Sequence, residues 1–199
     1  MKRTTLIVVL IALLVALGAA AYVTLTREKS ALPVIEEPAK PQANSYASPD
    51  HGLSFSYSPG YFLSERKAGE GARPELSVVL VEDTAENREV LEGRSSAPRD
   101  GPTSITVEVY PNPDRLAAED WVRASTNWTV RTSDAAPFGS GSITGVKYSW
   151  DGLYAGKSYV VTEGSHAYVF SVTWMAQEDA MLAEFDRLLE TVIITPEEL

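Results

Sequence analysis

Apolar and polar residues alternate in several short runs, and each such run predicts a half-buried strand. Leu53, Phe55 and Tyr57 alternate with Ser54, Ser56 and Ser58 until Pro59-Gly60 ends the run. Residues 61–63 predict an adjoining strand. Ile105, Val107 and Val109 alternate with Ser104, Thr106 and Glu108 and stop at Pro111, and Val146, Tyr148 and Trp150 alternate with Gly145, Lys147 and Ser149. Residues 76–82 are almost continuously apolar, which predicts a central strand covered on both faces.

The strongest local signal is a hairpin. The β-rich runs 159–162 and 167–174 flank Glu163-Gly164-Ser165-His166, and glycine at the first central position of a two-residue loop predicts a type II′ turn. That turn sets a register in which Val161 faces Tyr168 and Tyr159 faces Phe170, four large side chains on one sheet face. Met181, Leu182, Phe185, Leu188 and Leu189 then recur at helical spacing, a stripe that needs a sheet to lie against, and residues 192–194 predict a closing strand.

Two further helices are expected. One is short, within 83–92, with Val90 and Leu91 inward; the other starts at Asn112-Pro113 as N-cap and first helical residue, with Ala117, Trp121 and Ala124 inward. Residues 93–102 predict a loop, and Val130 a strand start before a loop through Pro137. Strands joined by hairpins, with helices set between them and no strict alternation, predict the α+β class: a mainly antiparallel sheet flanked by helices. No internal repeat is visible.

The first 26 residues change the picture. Residues 6–25 carry no charge and are dominated by Leu, Ile, Val and Ala, with Lys2 and Arg3 ahead of them. The stretch has about the 20 residues that a spanning helix needs. It also has the parts of a signal peptide, with Ala19-Ala20-Ala21 as an A-x-A cleavage site. Both readings keep the basic residues cytoplasmic and export the remainder: a single-pass anchor with an extracytoplasmic domain, or a secreted domain after cleavage. With no cysteine in the chain, a lipoprotein anchor, a disulfide framework and a thiolate metal site are excluded. Residues 27–45, with Pro33, Pro38 and Pro41, read as a flexible linker, and residues 46–199 as the globular domain.

The formal net charge of −10 repels nucleic acid and anionic lipid and makes both poor candidates as partners. Candidate chemistry is sparse. His51 lies in the turn-like Ser48-Pro49-Asp50-His51-Gly52, and His166 faces Glu163 across the hairpin turn as a structural pair. The glycine-rich run 139–145 lacks the Lys-Ser/Thr of a phosphate-binding loop and precedes a strand, so its glycines read as turn and bulge residues. No GxSxG or calcium-loop pattern is present, and no metal or cofactor site is expected. The acidic pairs 82/83, 119/120 and 178/179 fit strand ends and helix starts. Trp121, Trp150 and Trp174 fall on inward phases, whereas Trp128 lies in a loop and is the one candidate contact for a partner or ligand.

Taken in order, the run 53–61, the strand 105–109, an acidic helix around Glu119-Asp120-Trp121, the aromatic hairpin and a last Phe185…Leu188-Leu189 helix resemble the PsbP-like superfamily over residues 46–195. That superfamily includes extrinsic photosystem proteins, a Ran-binding relative and bacterial envelope lipoproteins. The resemblance implies an α/β/α sandwich and carries no catalytic signature. The expected function is therefore an exported, membrane-tethered accessory or protein-binding module without catalysis, with an envelope protein as partner. A carrier of a small apolar or lipidic ligand is the alternative, and an exported hydrolase a third.

Overall fold

The computed structural model describes residues 42–67, 74–94, 101–125 and 133–196. The apolar run 6–25, most of the expected linker, the centre of the 93–102 loop, Trp128 and Val130 lie outside them. Among the described residues no helix is long and apolar enough to cross a membrane.

Among the described residues ten strands and three α-helices follow one another: β1 (Asn44–Ser48), β2 (Leu53–Tyr57), β3 (Tyr61–Lys67), β4 (Leu76–Glu82), α1 (Ala85–Leu91), β5 (Ile105–Pro111), α2 (Ala118–Ala124), β6 (Ala136–Ser140), β7 (Ile143–Asp151), β8 (Ala155–Glu163), β9 (His166–Trp174), α3 (Ala180–Thr191) and β10 (Ile193–Ile194). Seven strands form one antiparallel sheet in the order β3-β4-β5-β9-β8-β7-β6, and β1-β2-β10 form a second, three-stranded one. The α+β class with mainly antiparallel sheets is thus as expected.

The β8–β9 hairpin has the expected register, Tyr159 opposite Phe170, Val161 opposite Tyr168 and Glu163 opposite His166. Gly164 has φ +55° and Arg115 is the one described non-glycine residue with positive φ, so the turn is type II′, not I′. The aromatic face built by this hairpin is covered by α3. Phe185, Leu188, Leu189 and Met181 pack with Tyr168, Phe170, Val172, Val107 and Leu80, while Leu53 and Phe55 bring the small sheet onto the same core. The ring of Phe185 stands edge-on to Tyr159 at 5.4 Å and has no exposed surface. Burying each such side chain contributes about 1.5–3 kcal/mol. On the opposite face of the large sheet, α2 sets Trp121 and Val122 against Val146, Tyr148, Val160 and Val169.

Within the α3 stripe lies a carboxylate. Glu184 is 2 % exposed and accepts hydrogen bonds from the Ser58 backbone N–H and hydroxyl, both at 2.7 Å, and from Arg187 Nη1 at 2.6 Å. Asp179 caps the helix by accepting from the Met181 N–H at 3.0 Å.

Several expectations need correction. β4 is buried at Leu76, Val78, Leu80 and Val81 but only half-buried at Ser77 and Val79, because Leu76, Val78 and Leu80 face the core shared with α3 while Ser77 and Val79 point the other way. Asn112 does not cap a helix. Its side chain closes a turn, donating to the Leu116 carbonyl and accepting from the Leu116 N–H, both at 3.0 Å, and positive φ at Arg115 keeps the helical path from starting. α2 therefore begins at Ala118, and its inward residues are Trp121 and Val122, with Ala117 and Ala124 exposed. Val90 and Leu91 in α1 are half-buried, not core. Pro137 sits in a strand, tolerated because β6 is an edge paired only with β7. β1 takes in Asn44 and Ser45, placed in the linker by the sequence, and β10 pairs with β2 in the small sheet instead of closing the large one.

Candidate functional site

Both histidines come to one end of the folded domain, around a groove of about 480 Å³ lined by Ser48, Asp50, His51, His166, Tyr168 and Thr195 among others. The turn from β1 to β2 supplies His51. Pro49 opens a single 3₁₀ turn, Pro49–His51, and Gly52 ends it with φ +59° and its N–H on the Pro49 carbonyl at 3.1 Å. Glycine is required there twice over: by its φ, and because a Cβ would stand 2.6 Å from the Thr195 carbonyl oxygen. Thr195 N–H in turn donates to the Gly52 carbonyl at 2.8 Å, so the segment after β10 is laced onto this turn.

The His51 ring is oriented by Ser48, whose Oγ lies 2.9 Å from Nδ1. Its backbone carbonyl accepts from the Tyr168 hydroxyl at 2.8 Å, which ties the turn to β9 in the large sheet. His166 opens β9. Its Cα is opposite that of Glu163, as expected, but the acid at its Nε2 is Glu75, at 3.4 Å, from the residue before β4. Ser165 Oγ lies 3.5 Å from its Nδ1. The two imidazoles meet edge to face, with ring centroids 5.8 Å apart, and Tyr168 stands 6.2 Å from the His166 ring.

Chemically this is a mixed groove, with two imidazoles, serine hydroxyls, a phenol and the Asp50 carboxylate in its lining and Glu75 paired to His166 beside it. Among the described residues no three His, Asp or Glu side chains are grouped to hold a metal ion. The Ser48–His51 contact spans three residues of a single turn, the usual reach of a serine satisfying local groups. Sequence reading placed each histidine in its own turn and missed their meeting, since no local pattern links residue 51 to residue 166.

Other ionisable groups are perturbed away from this groove. Burial raises the Glu108 carboxyl above its usual range, opposed by the Tyr110 hydroxyl donating to it at 2.9 Å. Tyr110 is itself raised, by burial first and by Glu108 second. Tyr46 in β1 is pushed up to about 12 by burial and by the Glu65 carboxylate that accepts its hydrogen bond at 3.0 Å. Of the candidate contact residue Trp128 nothing can be placed, as it lies outside the described residues.

No protein-family model matches the sequence, and no curated protein matches it. Among solved structures, the chain is similar to the solution structure of cyanobacterial PsbP (CyanoP) from Synechocystis sp. PCC 6803, at 13% identity over 80% of this chain and 96% of that one, with a TM-score of 0.48. It is also similar to a crystal structure from Bacteroides thetaiotaomicron VPI-5482, at 15% identity over 78% of this chain, with a TM-score of 0.48. The chain spans half the length of that second protein. The likeness to both structures is loose. It concerns the path of the backbone, and no residue role crosses with it.

Proposed function

We propose that the protein is an exported, membrane-tethered accessory module that binds a protein partner and carries out no chemistry. The tether rests on the uncharged apolar run 6–25 behind Lys2 and Arg3. The non-catalytic reading is carried by how the domain uses its buried polar groups. Asn112, Ser158 and Glu184 are the buried polar residues of the described core, and each is engaged in holding it together. Asn112 closes a turn, Ser158 accepts from Trp150 Nε1 at 2.9 Å and bonds Ser171 at 2.8 Å, and Glu184 fastens α3 to Ser58. The carrier alternative needs the aromatic sheet face as a pocket wall, and that face is filled by α3.

The test uses the full chain in its membrane. Resistance to alkaline carbonate, with protease access to the domain only from the extracytoplasmic side, is expected, and a chain starting at Pro41 should lose the membrane association. Release of the full chain by carbonate overturns the tether. A photo-crosslinker in place of Trp128 should give one discrete adduct with an envelope protein; labelling of Ser48 by a fluorophosphonate would instead make the domain a hydrolase.

A further inference from the structure

Three large apolar side chains are strongly exposed among the described residues: Leu153 at 68 %, Met175 at 71 % and Ile193 at 57 %. Scattered singly they would mean nothing. Leu153 and Met175 are not scattered. Leu153 is the middle residue of the link between β7 and β8, and Met175 is the first residue after β9. Asp151 pairs with Ala155, and Ala155 with Trp174, so both side chains lie just beyond three neighbouring strand ends. Ile193 is at the other end, next to the histidine groove, since β10 pairs with Ser54 and Leu53.

Both exposed residues sit on held backbone. Gly152 N–H donates to the Tyr154 carbonyl at 3.2 Å and to Asp151 Oδ1 at 3.0 Å, and the Tyr154 hydroxyl donates to the Gly101 carbonyl at 2.7 Å. Met175 N–H points to Asp179 Oδ2, at 3.5 Å, in the cap of α3. The two side chains are thus presented to solvent from ordered turns.

The chain enters the domain at this same end. Asn44 pairs with Tyr57, a turn with Tyr61 N–H on the Ser58 carbonyl follows, and Tyr61 pairs with Glu82. Leu80, Ile105 and Val172 share one level across β4, β5 and β9, so Glu82 and Trp174, two residues further on, share the next. The segment that leads from the apolar run 6–25 therefore reaches the domain at the end that carries Leu153 and Met175.

We propose that this end of the sheet rests on the bilayer surface, with Leu153 and Met175 dipping into the headgroup boundary. The inference depends on the membrane tether proposed above: linkage raises the effective concentration of the domain at the surface, so two apolar tips suffice where an untethered domain would need more. The exposed carboxylates of Asp151 and Glu178 beside the tips direct the contact to zwitterionic lipid and away from anionic lipid. In this orientation the histidine groove faces away from the membrane.

The absence of native cysteine makes the test direct. Full chains carrying Leu153→Cys or Asp114→Cys, the second in the exposed turn after β5 at the groove end, are labelled with an environment-sensitive fluorophore and reconstituted in phosphatidylcholine vesicles. Blue-shifted emission and quenching by brominated acyl chains are expected at position 153 and not at 114, and Met175→Ser should reduce the shift at 153. Replacing part of the lipid with phosphatidylglycerol should weaken it. A chain that floats with the vesicles while both labels report water overturns the docking and leaves the tether standing. A chain that does not float removes the tether and the docking together. A shift at 153 that appears only when a second membrane protein is present assigns the tips to a protein surface and overturns the lipid contact.

Discussion

Glu184 and Ser58 join helix α3 to the end of β2 through two hydrogen bonds of 2.7 Å, one to a backbone N–H and one to a hydroxyl. The carboxylate is buried, while its third partner, Arg187, has a 59 % exposed side chain. Removing the acid leaves the Ser58 donors without their acceptor, a loss that Arg187 cannot compensate. Glu184→Ala is expected to cost about 2–3 kcal/mol in urea unfolding. Glu184→Gln, which keeps one acceptor oxygen, should cost less. Equal losses for the two variants would mean that packing, not hydrogen bonding, holds this position.

Gly156 lies under the indole of Trp150, where an added Cβ would approach Cζ2 to 2.3 Å. The indole has little freedom to yield, because Nε1 donates to Ser158. Gly156→Ala should therefore destabilise by about 1–3 kcal/mol. Combined with Trp150→Leu, the same change should cost much less than the sum of the two single effects. Additive losses in that double-mutant cycle would contradict the crowding.

Glu108 supplies a pH dependence with a definite sign. Burial favours its neutral form, so the folded state holds the proton to higher pH than the unfolded chain does. Stability attributable to this residue is therefore greatest in acid and falls as pH rises from the ordinary carboxylate range through the raised folded value. Glu108→Gln should be more stable than the parent at pH 7, and the gain should shrink towards pH 4. Urea titrations at the two pH values decide it; a gain that grows in acid would reverse the assignment.

His51 and His166 are the only histidines, so their Cε1 protons give two signals in an NMR spectrum. With centroids 5.8 Å apart and edge to face, each ring lies in the ring-current field of the other. His51→Ala should shift the Cε1 proton of His166 and lower stability by about 0.5–1.5 kcal/mol. An unmoved His166 signal would show that the rings do not meet in solution.

What the sequence disclosed follows from how local each signal is. The register of the β8–β9 hairpin was legible because two turn residues determine it, and the α3 stripe because five apolar side chains share one face. Glu184 was not, since a charged residue among apolar neighbours reads as outward until its partner Ser58 comes from far along the chain. β1 was hidden for a similar reason: Asn44-Ser45-Tyr46-Ala47-Ser48 has no apolar alternation, and it is a strand because β2 offers an edge. Asn112 carried a true capping chemistry but spent it on a turn. The histidine pair is assembled from two separate turns, each of which gave only its own half.

The small sheet has a consequence for the birth of the protein. β2 has β1 on one side and β10 on the other, and Gly52 and Thr195 fasten the turn before β2 to the segment after β10. A ribosome that has made the first strands has made a sheet with a vacant seat, one that residues 193–194 occupy only after every strand of the large sheet has been synthesised. Contacts of such long sequence separation make closure a late and slow event. Until then the nascent domain presents β2 as an open template.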